Sequence, residues 1–447
     1  MSKDDLQLAV DTIEGRQKEL IKAERYYNGD VDEVFASPKL RRALQRTGTS
    51  FRINFARVPV DAVLNRLEIS TVHVGDSLAR EIIETTWVNN ELDMEVNEVH
   101  RSALIYGDSF FMIWLDDEGP DEEPDIVATY ESPRNMCMFY HDENPRRKKF
   151  AAKMWTESNG DTRVNLYYPE TIEKWVKKKK NKTFTELESE ENPFGVIPVF
   201  HFRTRRPYGR PEHKDAWGIQ DMINKIVVTQ MATNDYQGFP LRVALANPDE
   251  AGGSSDFDDF NEDTGQGDNI ASLSSGPGEV WYLKGIKEIA QFDAADPNSF
   301  LAPLREYIKA MAATTDTPIH MFEGLQGSTS GEHIRAAESP LNKKVKNRQV
   351  LFSKTWDEVF NFILALFDMA TVQTSVQWAP IETMNTKEAW ETALLKRDMG
   401  VPLHVILAEQ GYTETEIEMM IMDAEIAAGK HTVGEIPMGD EADELLS

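Results

Sequence analysis

The sequence predicts a mixed α+β fold, and two patterns carry that prediction. In several long segments, apolar residues recur every three or four positions, which is the period of one face of a helix. Between positions 126 and 202, short apolar runs alternate with turn residues, as in strands joined by tight connections. With 447 residues, of which 40% are hydrophobic, the chain can bury a large core and hold roughly two to four domains.

The first half of the chain is predicted to begin helical and to become strand-rich. Apolar residues in phase predict helices at 4–27, 55–67, 77–90 and 94–106, with a strand at 69–74. After Gly107 the period changes, and the continuous apolar run 110–115 predicts another strand. Further strands are predicted at 136–140, 150–156, 163–168, 171–176 and 199–202.

The centre of the chain is predicted to form two rods that carry a tip. The first rod is a helix at 212–236, about 37 Å long at about 1.5 Å per residue. A strand at 241–246, an acidic insert at 249–268 and a returning strand at 280–283 make the tip. The second rod is a helix with its apolar stripe on Leu301, Leu304, Ile308 and Met311.

A flexible loop and a long helix follow the second rod. Gly and Ser residues between 318 and 330 predict the loop, and Thr329 with Glu332 forms a capping box that opens the helix. The helix is predicted to reach about residue 366, with a kink at Pro340. A strand at 375–378 and helices at 386–399, 402–409 and 414–428 complete the chain.

The net charge of −28 limits what the chain can bind. A protein that grips DNA carries a basic stripe, because neutralising phosphates supplies much of its affinity. The acidity therefore argues against tight binding of nucleic acid, and solubility or a surface that avoids polyanions are the two interpretations. The single cysteine, Cys137, excludes an internal disulfide. Neither a membrane span nor a signal peptide is predicted, so we expect assembly in a reducing cytoplasm.

Catalytic and metal-binding motifs are weak or missing in the sequence. The block Gly107-Asp108-Ser109 matches the nucleophile block of one lipase family, but the predicted order of elements, helix then strand, is the reverse of that family's. The insert 249–268 has eight carboxylates, yet an EF-hand loop beginning at Asp259 would place Thr264 and Ile270 where Gly and Glu are required. No phosphate-binding loop or zinc motif occurs, so neither a cofactor nor an enzymatic activity is expected.

Two basic clusters stand out in this acidic chain. The cluster on the long helix consists of Lys343, Lys344, Lys346 and Arg348. The cluster before the first rod consists of Arg203, Arg205, Arg206 and Arg210. Ion pairing within or between subunits is one interpretation. Contact with phosphate at a constriction is the other, and it concerns the first cluster in particular.

Five segments, taken in order and spacing, resemble one known family over nearly the whole chain. They are Tyr26-Tyr27-Asn28-Gly29, the block 100–114, Asn192-Pro193-Phe194-Gly195 with the strand after it, the helix 212–236 and the helix 331–356. The chain resembles the portal proteins of tailed bacteriophages, in the branch of the siphoviruses that infect Gram-positive bacteria.

The resemblance implies a ring of about twelve subunits at one capsid vertex. Residues 1–211 and 317–384 would form the mixed α/β wing, with the tunnel loop and the kinked long helix in its second part. Residues 212–237 and 296–316 would form the two-helix stem, 238–295 a small α/β clip, and 385–447 a short helical crown with an acidic tail.

The resemblance also implies site residues and partners. Double-stranded DNA would pass a tunnel loop formed by Leu325, Gln326, Gly327, Ser328, Thr329 and Ser330. The terminase motor and later the head-completion adaptor would dock on the clip, at Asp256, Asp258, Asp259, Glu262 and Asp263. Major capsid and scaffold proteins would surround the ring in the virion, after assembly in the host cytoplasm. The net charge adds the expectation of an acidic channel wall that repels phosphate.

Two alternatives to a portal remain open from the sequence. One is another capsid-associated connector or scaffold without a DNA channel. The other is an enzyme, for example a hydrolase that uses Ser109 or a metal-dependent one that uses the insert 249–268.

Overall fold

The computed structural model describes residues 2–30, 53–116, 125–237, 242–246, 286–291, 298–324, 331–381 and 386–409, together with 412, 417 and 419–422. Helices and antiparallel sheets both contribute, so the predicted α+β class is confirmed. The acidic insert 249–268, the predicted strand 280–283 and the loop 325–330 lie outside the described residues.

Among the described residues, the N-terminal part contains four helices and one strand: α1 (Ser2–Asn28), α2 (Val58–Leu64), β1 (Ile69–Val74), α3 (Ser77–Asn89) and α4 (Leu92–Tyr106). Four of these five match the predicted ranges within two residues. Helix α2 is shorter than the predicted 55–67 at both ends, and the backbone N–H groups of Phe55 and Ala56, which precede it, donate to the side chain of Gln220. Helix α4 ends at Gly107, whose φ of 92° suits glycine.

Two antiparallel sheets follow the helices. In the three-stranded sheet, β2 (Asp108–Asp116) lies between β3 (Asp125–Glu131) and β9 (Val199–Arg203). The five-stranded sheet runs in chain order: β4 (Met136–Tyr140), β5 (Lys148–Thr156), β6 (Thr162–Tyr167), β7 (Thr171–Lys177) and β8 (Thr185–Glu191). The sequence did not predict β3 or β8. Strand β8 is exposed along nearly its whole length, so it lacks the apolar alternation that indicated the other strands.

The two rods are helices α5 (Trp217–Gln237) and α6 (Asn298–Thr314), which pack against each other. Between them in sequence, β10 (Arg242–Ala246) pairs antiparallel with β11 (Ile286–Gln291), and Val243 lies opposite Ala290. Strand β11 lies after the predicted strand 280–283, which stays a prediction because it is outside the described residues.

The C-terminal part begins with the short helix α7 (His320–Glu323) and the long helix α8 (Gly331–Leu366), in which Pro340 is an internal residue. Strand β12 (Thr374–Trp378) pairs antiparallel with β1, with Val376 opposite Val72. Helices α9 (Thr386–Asp398) and α10 (Leu403–Glu409) follow, close to the predicted ranges. Of the predicted helix 414–428, only 417 and 419–422 are described, and all of these are helical.

The largest core cluster is built around the second half of α8. Its biggest fully buried side chains are Phe111, Phe202, Phe352, Trp356 and Phe360. Trp356 donates a hydrogen bond from Nε1 to Nε2 of His100 at 2.9 Å, and Nδ1 of His100 donates to the carbonyl oxygen of Leu67 at 3.1 Å. The buried imidazole is therefore held neutral, and burial lowers its pKa to about 3.

Candidate functional site: the helix pair and its anchor

The two rods meet through the apolar stripes that the sequence predicted. Ile223 of α5 is fully buried against Ile308 and Met311 of α6. Phe322 of α7 joins the same cluster, and its ring lies 5.9 Å from that of Phe55. The cluster thus fixes the base of the helix pair to the segment that leads into the loop 325–330.

The helix pair carries balanced charge. Helix α5 has a formal charge of −1 and α6 of +1, from Asp221, Lys225 and Asp235 and from Arg305, Glu306 and Lys309. The whole chain carries −28. The acidity of the protein therefore lies elsewhere, and these two helices do not provide the acidic wall expected from composition alone.

Glu212 is the buried anchor of the first rod. Its carboxylate is 4% exposed and lies five residues before α5 begins at Trp217. Arg348 of α8 donates to Oε2 from Nε at 3.0 Å and from Nη2 at 2.9 Å, and Lys344 lies 3.0 Å from Oε1. Burial alone would raise the pKa of Glu212, but Arg348 and Lys344 outweigh it and hold this pKa below its usual value.

The same anchor reaches the end of the second rod. Lys344 donates a hydrogen bond to the carbonyl oxygen of Thr315, the residue after α6. Arg348 also donates from Nη1 to the carbonyl oxygen of Thr204 at 3.1 Å. One turn of α8 therefore binds the entrance of α5, the exit of α6 and the chain that leaves β9.

The structure divides the predicted basic cluster on α8 into two faces. Lys344 and Arg348 point inward and pair with Glu212, as the interpretation of intrachain ion pairing predicts. Lys343 and Lys346 lie on the exposed face of the helix. Phosphate contact by this cluster stays a prediction, and Lys343 and Lys346 are the members exposed for it.

The second basic cluster lies in the connection between β9 and α5. Arg203 donates to the carbonyl oxygen of Pro207 at 2.7 Å, and its guanidinium lies over the ring of Tyr140. Arg210 pairs with Asp215, whereas Arg205 and Arg206 are exposed. Intrachain pairing thus accounts for Arg210, while Arg203 is held by a carbonyl oxygen and an aromatic ring.

A second buried carboxylate, Asp108, organises this connection. It accepts hydrogen bonds from Nε2 of His201 at 2.9 Å and from the backbone N–H of Gly209 at 2.7 Å, and it pairs with Arg16 of α1. Burial raises the pKa of Asp108, but His201 and Arg16 more than compensate, so this pKa lies below its usual value. The carboxylate joins α1, β2 and the connection to α5.

Two glycines permit the backbone crossing beside Asp108. A Cβ atom on Gly107 would overlap the backbone of Gly209 and Arg210, and one on Gly209 would overlap the carbonyl of Gly107. The backbone N–H of Thr204 donates to the carbonyl oxygen of Gly107 at 3.0 Å. The glycine in Gly107-Asp108-Ser109 therefore serves close backbone packing.

Ser109 has no access to a substrate in this chain. It lies within β2, paired with Phe202 of β9, and it is fully buried. The helix-then-strand order that argued against a nucleophile turn is observed, since β2 follows α4 directly. Among the described residues, no group of three or more His, Cys, Asp or Glu side chains could hold a metal ion.

Neither the loop nor the acidic insert can be placed as a site. Leu325, Gln326, Gly327, Ser328, Thr329 and Ser330 lie outside the described residues, between Gly324, where α7 ends, and Gly331, where α8 begins. Asp256, Asp258, Asp259, Glu262 and Asp263 also lie outside them, between β10 and β11. The structure describes only the elements on which these segments are mounted.

Sequence reasoning missed the anchor residues Glu212, Asp108 and His100. Each is buried at a contact between segments far apart in the chain; Glu212 and Arg348, for example, are separated by 136 positions. The one local signal was a lone carboxylate, Glu212, placed just after a run of arginines.

Comparison with known proteins identifies the family. The family model described as "Phage portal protein, SPP1 Gp6-like" matches residues 11–420, which is most of the chain. The chain belongs to this family. A curated portal protein of Mycobacterium phage L5 is 25% identical over 435 residues, covering 92% of this chain and 86% of the relative. One from Mycobacterium phage D29 is 26% identical over 391 residues, covering 82% and 78%.

A structural comparison gives a weaker likeness. The chain matches a structure described as the neck of a native GTA particle computed with C12 symmetry, with a TM-score of 0.44 and 13% identity. The match covers 87% of this chain and 94% of that chain.

As a member of the portal family, the chain is a structural component of a phage particle. Portal proteins form ring assemblies at one vertex of the virion capsid and are the conduit for packaging and ejecting double-stranded DNA. They are structural components without catalysis, which removes the hydrolase alternative.

None of the helices in the described part of the chain is both long and apolar enough to span a bilayer.

Proposed function

We propose that about twelve copies of this portal protein close into a ring whose channel passes between the helix pairs, with the loop 325–330 facing the duplex. The anchor at Glu212 is the observation that supports this arrangement. It binds both rods to α8, the helix that follows the loop. A push on the rods would therefore reach α8 at Lys344 and Arg348, which lie about 20 Å along the helix from its start beside the loop.

In this proposal, each part of the ring corresponds to a segment of the chain. Residues 1–211 and 317–384 form the wing, in which the three-stranded sheet and α8 share the main core. Residues 212–237 and 296–316 form the stem, and the described pair α5 and α6 makes up most of it. Residues 238–295 form the clip around β10 and β11, and 385–447 form the crown, which begins with α9 and α10.

The clip is the docking platform in this proposal. The terminase motor binds it during packaging in the host cytoplasm, and the head-completion adaptor binds it afterwards. The carboxylates Asp256, Asp258, Asp259, Glu262 and Asp263 give these partners a charged surface to recognise. Capsid and scaffold proteins contact the ring at the vertex.

DNA contact in the channel must be transient for packaging to proceed. A helix pair with balanced charge neither attracts nor repels phosphate strongly. The exposed face of α8 with Lys343 and Lys346 could bind DNA phosphate or another protein. Reversing the charge of these lysines and measuring both ring assembly and DNA packaging separates the two hypotheses.

Imaging of the purified full-length protein tests this proposal. Negative-stain images are expected to show rings of about twelve subunits with an open central hole. Rings without a hole would favour a connector that has no DNA channel. Discrete dimers would overturn the proposal.

A further inference from the structure

Helix α8 carries an exposed basic stripe on the side away from the core. Lys343, Lys346, Val350 and Lys354 follow one another at steps of three or four residues, which places them on one face. Leu351 adjoins them, and we call these five residues the basic stripe. Val350 is 60% exposed and Leu351 40% exposed.

The composition of this segment is unusual for the chain. Residues 342–355 contain five lysines and arginines and no carboxylate, in a protein of net charge −28. Glu212 neutralises only the two inward members, Lys344 and Arg348. The outward face is left with like charges around two aliphatic side chains, and such a face is stabilised by a partner of opposite charge.

A complementary surface occurs at the turn between α3 and α4. Residues 81–98 contain six carboxylates and no lysine or arginine. Glu81, Glu84 and Glu91 are exposed, and so are Val88, at 74%, and Met94, at 67%. We call these five residues the acidic turn surface.

The two surfaces match in charge and in apolar content. Each has exposed aliphatic side chains among charges of a single sign, and the signs are opposite. A ring needs a head-to-tail interface, in which one patch of a copy meets a different patch of the next. A chain that carries both patches can supply both halves of such an interface.

We propose that the basic stripe of one copy docks on the acidic turn surface of the next copy in the ring. This inference rests on the ring of the proposed function and assigns part of its subunit interface. Val350 and Leu351 pack against Val88 and Met94, while the lysines flank them and pair with the glutamates. Interface cores bury apolar side chains within a polar rim, and the two surfaces supply these parts.

The apolar residues favour a protein partner over DNA. Contacts to the phosphate backbone come from cations and hydrogen-bond donors, and they give exposed Val350 and Leu351 no role. A protein partner covers both the lysines and the aliphatic side chains.

Charge reversal in the full-length protein tests the docking. The first variant reverses three lysines of the basic stripe: Lys343→Glu, Lys346→Glu and Lys354→Glu. The second reverses three glutamates of the acidic turn surface: Glu81→Lys, Glu84→Lys and Glu91→Lys. The third variant combines all six substitutions. Sedimentation velocity over a concentration series would measure ring assembly. Each set alone is expected to raise the concentration needed for rings by at least about tenfold, and the combination to restore it within about threefold.

A matched control separates local pairing from net charge. Lys178→Glu, Lys180→Glu and Lys182→Glu make the same charge change at exposed positions between β7 and β8, and wild-type assembly is expected. Because all substituted residues are exposed, circular dichroism should show folded chains throughout.

The outcomes discriminate between the ideas. Unchanged assembly in both reversed sets, or loss in each without rescue by the combination, overturns the docking. Intact rings whose DNA packaging falls on lysine reversal would assign the stripe to phosphate instead. If the wild-type protein forms no rings, the proposed function fails rather than this interface.

Discussion

Arg348 holds Glu212 with two donors on one oxygen, Nε at 3.0 Å and Nη2 at 2.9 Å from Oε2. The carboxylate is 4% exposed, and the guanidinium side chain 19%. The two residues therefore join the segment that enters α5 to α8 through a buried, charge-assisted contact, which is among the stronger polar contacts in proteins.

Arg348→Ala is expected to destabilise the folded chain, because it leaves Glu212 buried with Lys344 as its remaining cation. Removing one partner of a buried pair costs about 3 to 5 kcal/mol, and the residual Lys344 contact favours the lower value. Urea unfolding of the two proteins measures the difference. Asn347→Ala, an exposed change on the same helix outside the basic stripe, should stay within about 0.5 kcal/mol of wild type. A loss below about 1 kcal/mol for Arg348→Ala would contradict the anchor.

His100 makes stability depend on pH. Burial lowers its pKa to about 3, from 6.5 in the unfolded chain, so below pH 6.5 only the unfolded chain takes up the proton. This contribution is complete well above pH 6.5 and is lost as pH falls, by roughly 2.3 kcal/mol between pH 6.5 and 4.5.

His100→Gln isolates this pH effect. Its amide can still accept from Trp356 and donate to the carbonyl of Leu67, but it does not titrate. Unfolding free energies at pH 6.5 and 4.5 should fall less in the variant than in wild type. Because His213 remains in both proteins, its own contribution cancels in the comparison. Equal losses in the two proteins would exclude His100 as the source.

Gly107→Ala is expected to disrupt the crossing beside Asp108. The added Cβ would overlap the backbone of Gly209 and Arg210, and the φ of 92° is unfavourable for alanine. We expect a loss of more than about 2 kcal/mol in thermal or chemical unfolding. Gly218→Ala is the control, because nothing lies within 4 Å of its Cβ position in α5 and alanine favours a helix. Similar stability of the two variants would refute the close packing.

Deleting residues 325–330 should stop DNA packaging while rings still form. The proposed DNA contact lies in this loop, whereas the anchor and the helix pair are outside it. Nuclease-protected DNA in assembled heads measures packaging, and imaging checks the rings. Leu325→Gly with Gln326→Ser keeps the loop length and should retain more packaging than the deletion. Normal packaging after the deletion would show that the loop does not face DNA.

Neutralising the clip carboxylates should weaken docking of the motor. The variant changes Asp256, Asp258, Asp259 and Asp263 to Asn and Glu262 to Gln. Ring assembly should be unaffected, while terminase pulled down by the rings should fall by at least about threefold, mainly through slower association. Changing the four glutamates of β8 to Gln is the control for lost negative charge. Equal binding by both variants and wild type would remove these carboxylates from the docking surface.

Local periodicity predicted the helical frame well. The stripes of α5 and α6 require only neighbours three or four positions away, so sequence alone indicated them. Strand β8 was not predicted from the sequence, because nearly all its side chains face solvent and its strand conformation depends on pairing with β7. The position of Glu212 depends on Arg348, which no local pattern connects to it.

The family resemblance went further than the residue patterns. The order of separate motifs indicated a portal, and the family model confirms that identification. Net charge could not indicate which elements carry the acidity, because composition averages over the chain. The formal charges of α5 and α6 cancel, and an acidic channel wall stays a prediction.

Helix α8 extends over 36 residues, about 54 Å at about 1.5 Å per residue. It starts beside the loop and carries Trp356 into the main core, where the indole contacts His100. Residues 331–340 of the helix are exposed or half-buried, whereas the part around Trp356 is buried in the core. A displacement of the exposed part would be taken up near Pro340, because the buried part is held in place by close packing.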